Sequence, residues 1–129
     1  MKYKVIAVDF DGTICKEEGF PGVGEPIAYA KEAIRKIEEI GGTIIIWTCR
    51  TDDALKSALS YLKDNDIPFH YVNENCEQMK EFYNNDPRKI GADIYIDDKS
   101  IMGEIDWIDI SRYIFDDNEF DDFIEQLQE

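Results

Sequence analysis

Short runs of consecutive apolar residues alternate along this chain with stretches of helical periodicity. Tyr3–Phe10 (YKVIAVDF), Thr43–Thr48 (TIIIWT), Ile67–Val72 (IPFHYV) and Asp93–Ile96 (DIYI) are rich in β-branched and aromatic residues and too short to be buried helices. They predict four strands covered on both faces. Between them the period changes. Ile27, Ala30, Ile34 and Ile37 keep helical spacing up to Ile40. Pro26 suits the first turn of that helix, and Gly41-Gly42 ends it. Leu55, Ala58, Leu59 and Leu62 form the apolar stripe of a second helix, with Thr51 or Asp52 as its cap. Glu77–Tyr83 predicts a weaker third helix, and Asn118–Gln128 a terminal one with Phe120, Phe123, Ile124 and Leu127 on one side. Cys15–Glu25, with several Gly and one Pro, is a loop, and Asn73–Asn75 is a turn. The run WIDISRYIF, 107–115, reads as one more strand or turn. Strands alternating with helices imply an α/β fold: a doubly wound, Rossmann-like parallel sheet with helices on both faces. At 129 residues the chain fits one domain, 1–129.

In such sheets ligands bind at the carboxyl ends of the strands, where the strand order reverses. Here the apolar runs deliver polar groups to that edge repeatedly. The first ends in Asp9 and Asp11, the second in Thr48, Cys49 and Arg50, the third in Asn73, Glu74 and Asn75, and the fourth in Asp97 and Asp98. Carboxylates crowded at the end of a buried strand repel one another and lose hydration. A cation offsets both costs. An all-oxygen donor set suits a hard ion such as Mg²⁺, which in turn would neutralise a phosphate group beside it.

Composition narrows the picture. The formal net charge of −15 argues against a basic nucleic-acid groove and against binding to anionic membranes. Ten acids and a single base, Arg112, fall between Glu104 and Glu129, which reads as a solvated acidic face or a surface for a basic partner. Cys15, Cys49 and Cys76 cannot all pair within one chain and match no zinc spacing, so reduced thiols in a cytoplasmic protein are expected. The chain opens directly on strand-like sequence, with no signal-peptide pattern, and no apolar run approaches the ~18 residues of a membrane span. One histidine, His70, argues against a Ser-His-Asp triad and a His-based metal site.

The motifs resemble those of the haloacid dehalogenase (HAD) superfamily of phosphohydrolases. DFDGT (Asp9–Thr13) is similar to the first motif, IIIWT ending at Thr48 to the second, Lys89 in RKIGAD to the third, and IYIDD ending at Asp97-Asp98 to the fourth. Order and spacing agree over Lys4–Ser100, and the wider texture is similar to small HAD proteins of phages and bacteria. The resemblance implies a Mg²⁺-dependent phosphatase. Asp9 would be the nucleophile, Asp11 the general acid and base, Thr48 a hydroxyl donor to phosphate, and Lys89 the balancing cation. Asp9, Asp11 (through its carbonyl), Asp97 and Asp98 would hold the metal. Gly12, Thr13, Cys49, Arg50 and Asn73 would line the substrate site; the rival readings are Cys49 as a buried filler, Arg50 as the partner of one of the many acids, and the Asn73–Asn75 turn as capping. Neither Ile14–Gly42 nor Cys49–Lys89 has room for a cap domain, so an open site is expected. Its substrate would be a phosphorylated small molecule or a phosphoprotein, and a neighbouring subunit of a homo-oligomer could serve as lid. A receiver-like phospho-accepting domain and a non-catalytic binding module of the same fold are the rival readings.

Overall fold

The computed structural model describes residues 1–129. Each of the four apolar runs contains a strand, β1 (Val5–Val8), β2 (Thr43–Ile46), β3 (Tyr71–Val72) and β4 (Ile94–Ile96), all parallel, in the order β3-β2-β1-β4; the run Ile67–Val72 is strand only over its last two residues. Five helices accompany them: α1 (Ala30–Glu39), α2 (Asp52–Asp64), α3 (Glu77–Tyr83), α4 (Trp107–Ile114) and α5 (Asp117–Leu127). The α/β parallel-sheet class expected from the apolar pattern is therefore the observed one.

Side chains alternate across the sheet, and the two faces are unequal. Ile6, Val8, Ile44, Ile46 and Ile96 point into the main core, where they meet Ala33, Ile34 and Ile37 of α1, Leu62 of α2, Trp107 and Ile114 of α4 and Phe123 of α5. The opposite face is thinly covered. Ala7 and Ile45 pack there against Ile90, flanked by Trp47, Tyr71 and Ala92, and α3 buries no residue completely. Connectivity accounts for the difference. The chain steps outward from β1 to β2 to β3, then returns past β1 to lay down β4. Right-handed crossovers place α1 and α2 on one face and the short α3 on the other. Strand order reverses between β1 and β4, so the switch point opens there.

Two local expectations are corrected. First, α1 begins at Ala30, not at Pro26. The Ile27 N–H donates to the Ile14 carbonyl at 2.9 Å, and Pro26 lies in an antiparallel bridge with Cys15. The residues after the loop thus pair with it before the helix starts, and Tyr29 makes the turn at φ 67°. Second, 107–115 is neither strand nor turn. It forms α4 because Trp107, Ser111 and Ile114 share one buried face at helical spacing, and because Asp106 caps it by accepting from the N–H groups of Ile108 (3.0 Å) and Asp109 (3.3 Å). The terminal helix α5 starts with a capping box between Asp116 and Glu119, and Lys36 of α1, only 4% exposed, is ion-paired to Asp122 of α5. No helix is long and apolar enough to cross a membrane.

Candidate metal centre

The register of the sheet puts the acids together. Val8 is level with Ile96, and the Asp9 N–H donates to the Ile96 carbonyl at 2.9 Å. Asp9 and Asp97 are therefore the first residues beyond neighbouring strands at the switch point, with Asp98 next. One carboxylate oxygen from each of Asp9, Asp97 and Asp98 lies within 4.8 Å of the others. Thr13, fully buried, ties two of them. Its Oγ1 donates to Asp9 Oδ2 at 3.3 Å and accepts the Asp98 N–H at 3.2 Å. Its carbonyl in turn accepts Trp107 Nε1–H at 2.8 Å, which anchors the loop to α4. Gly12 sits at φ +85°, and a Cβ there would lie 2.5 Å from the Asp98 carboxyl carbon. Only glycine allows both that turn and that approach.

The three carboxylates crowd one another with a single cation, Lys99, close by. Asp9 is pushed up to about 7, first by burial, then by the Asp97 charge and by a shared hydrogen bond with Asp98. Asp98 Oδ1 is buried and has no hydrogen-bond partner. Three hard carboxylate donors, one orphaned oxygen and a glycine that keeps the approach clear fit a divalent cation bound through oxygen. The nearest basic group is Lys99, whose Nζ lies 3.8 Å from Asp98 Oδ2 and 3.1 Å from Glu17 Oε2 on the Cys15–Glu25 loop. A roomier groove of about 1040 Å³, between α1 and α5 beside Leu62 and Phe123, contains none of these aspartates. The three acids are half-buried at the carboxyl edge of the sheet, and Asp97 also lines a second cavity of about 390 Å³.

Comparison with known proteins adds one relative. No protein-family model matches the chain, and no curated protein matches it. Among solved structures, a conserved protein coded by a locus of Bacteroides thetaiotaomicron superposes with a TM-score of 0.76. It is 32% identical, and the match covers 85% of this chain and 88% of that one. The chain belongs to the family of that conserved protein. The family is thus defined by its fold and sequence likeness, and the chemistry must be read from the side chains of this member.

Those side chains sort the sequence-derived candidates. Thr48 stands at the end of β2 with its Oγ1 accepting the Arg50 N–H at 3.1 Å, while its own N–H donates to Asn73 Oδ1 at 2.8 Å. Asn73, at φ 53°, also donates its N–H to the Ile46 carbonyl, so it staples the ends of β2 and β3. Cys49 is exposed, not a buried filler. Lys89 is exposed and takes part in no ion pair or side-chain hydrogen bond, whereas Lys99 faces the acids. Asp11 does not join the triad. Its carboxylate is gripped by Arg50 in a two-pronged ion pair, Nε to Oδ2 at 2.7 Å and Nη2 to Oδ1 at 2.8 Å. Arg50 is 2% exposed, and its remaining donors go to the carbonyls of Pro21 and Ala54 (from Nη1) and Gly22 (from Nη2). All five guanidinium N–H groups are spent inside the protein, so of the two readings of Arg50 the structure has the pairing with an acid, Asp11, and not a free donor for a substrate anion. Lys99 and Trp107 were missed. Lys99 directly follows the acidic pair, a cue that was available, whereas nothing near Trp107 in sequence points to Thr13.

Proposed function

We propose that this protein is a Mg²⁺-dependent phosphomonoester hydrolase of HAD type that works through Asp9. The observation that carries the reading is the meeting of Asp9, Asp97 and Asp98 at the switch point, with Asp98 Oδ1 buried and unpartnered. The resemblance of DFDGT, IIIWT and IYIDD to phosphohydrolase motifs supports it, because those motifs end on this same rim. Asp9, Asp97 and Asp98 would hold the ion, which supplies charge neutralisation for an incoming phosphate.

The chain's own groups then divide the work. An Asp9 carboxylate oxygen attacks phosphorus in line with the leaving oxygen. The bond to the leaving alcohol breaks and an aspartyl-phosphate forms. Water then attacks that phosphorus, releasing inorganic phosphate and restoring Asp9. Thr48 accepts the Arg50 N–H at its oxygen, which leaves its hydroxyl proton free to donate to a phosphate oxygen. Thr13 holds Asp9 and Asp98 in their relative places. Asp11 is the group closest in sequence that could hand a proton to the leaving oxygen, and doing so requires its carboxylate to turn from Arg50. Lys99 or the freer Lys89 would balance the phosphate charge. The rim fits a phosphorylated small molecule or a phosphoprotein, encountered in the cytoplasm.

The test is hydrolysis of an aryl phosphate with and without Mg²⁺. We expect turnover that needs the ion and falls by about a thousandfold or more in Asp9→Asn. Undiminished turnover in that variant removes Asp9 as nucleophile. A long-lived phosphoprotein without turnover points instead to a receiver-like role.

A further inference from the structure

Arg50 is placed where three pieces of chain meet. It follows the end of β2, reaches the Ala54 carbonyl in the first turn of α2 at 2.9 Å, and crosses to the Cys15–Glu25 loop, taking the carbonyls of Pro21 (2.8 Å) and Gly22 (2.7 Å). Its guanidinium lies 5.2 Å from the ring centre of Phe10 and 5.0 Å from that of Phe20. Phe10 is fully buried in the core, but Phe20 is 65% exposed and belongs to the loop. Glu17 pins the same loop through Lys99. The fourth partner is the Asp11 carboxylate, gripped on both oxygens.

These bonds are interdependent. A guanidinium this buried is stable only while its donors are satisfied; removing one partner leaves charge and N–H groups unpaired in a poorly solvated place. If the loop lifts, Arg50 loses two carbonyls and a ring face and gains access to water, and its hold on Asp11 slackens. If Asp11 turns away, the charge that keeps Arg50 against the loop is lost. We infer that Arg50 is a positioning residue that couples the docking of the 16–25 loop to the orientation of Asp11, so that the loop does for this capless chain what a separate lid would do. The structural half stands on the contacts alone; the catalytic half rests on the phosphatase reading.

Amide hydrogen exchange separates the two. In the full chain we expect Asp11→Asn to raise exchange across residues 16–25 by about tenfold, with β1 and β2 amides unchanged. Arg50→Lys, which keeps charge but cannot make the fork, should do the same. Phe20→Ala, an exposed change outside the catalytic groups, should also loosen the loop. In turnover of a small aryl phosphate it should lower kcat, counted per folded molecule, about tenfold while leaving KM within about twofold; loss of folded protein alone would lower only the apparent kcat, so circular dichroism at the assay temperature fixes the folded fraction. Unchanged loop exchange in a folded Asp11→Asn protein overturns the coupling, whether or not the protein is a phosphatase. Should Arg50→Lys fail to fold, Asp11→Asn and Phe20→Ala still decide. Coupled exchange without any hydrolysis leaves the structural half standing and removes the phosphatase reading together with the catalytic half. Loosened exchange in Phe20→Ala with an unaltered kcat refutes the catalytic half.

Discussion

At Gly12 and Asp9 single positions set how tightly the acids of the rim are crowded. A methyl group at Gly12 would collide with the Asp98 carboxyl and strain a backbone at φ +85°. We expect Gly12→Ala to lower stability by about 1–2 kcal/mol from backbone strain. It should also weaken Mg²⁺ binding at least tenfold as Asp98 is pushed aside, both measurable by melting and by titration calorimetry. Asp9 carries a pH signature. Its folded-state affinity for a proton is raised, from an ordinary 3.8 to about 7, by burial and by its acidic neighbours. Below the ordinary value the folded and unfolded chains are both protonated there, and this contribution to stability is complete. As pH rises toward 7 the unfolded chain has already released its proton while the folded chain keeps it, so the contribution is lost. Metal-free protein should therefore melt at lower temperature at about pH 8 than at about pH 5, more steeply than Asp9→Asn does. Mg²⁺ should flatten the decline by taking the proton's place.

Among the elements, α4 departs from what its residue types suggest and supports the site. Its β-branched and aromatic residues suggested a strand, yet Trp107, Ser111 and Ile114 bury one helical face, and that face holds the indole that supports Thr13. Asp106 starts the helix, so Asp106→Ala should cost about 0.5–2 kcal/mol in denaturant unfolding. Because Trp107 anchors the Thr13 loop, it should also loosen the Asp9–Asp98 pair, read as weaker Mg²⁺ binding. The strands were legible because each is a short apolar run, and the acids were legible because they end those runs. The start of α1 was not, since Pro26 is drawn into a bridge with Cys15 that depends on the folded loop. Nor was the fate of Arg50. Whether an arginine faces a substrate or a buried aspartate depends on side chains from positions 11, 21, 22 and 54, which the fold alone brings together.

Over the whole molecule, the charge of −15 and the crowded rim act in the same direction. Self-repulsion destabilises the compact state and salt screens it. The melting temperature should rise between about 0.05 and 0.5 M NaCl, and a small amount of Mg²⁺ should raise it further than the same ionic strength of NaCl. Parallel strands, a reversal between β1 and β4 and three converging aspartates form the rim on which the proposed hydrolysis rests. The direct measurement is peptide mapping of protein quenched in acid during turnover of a phosphomonoester with Mg²⁺. A phosphoryl group on the peptide that holds Asp9, absent from Asp9→Asn, is the expected result. A phosphoryl group on another residue, or steady hydrolysis with Asp9 replaced, would contradict it.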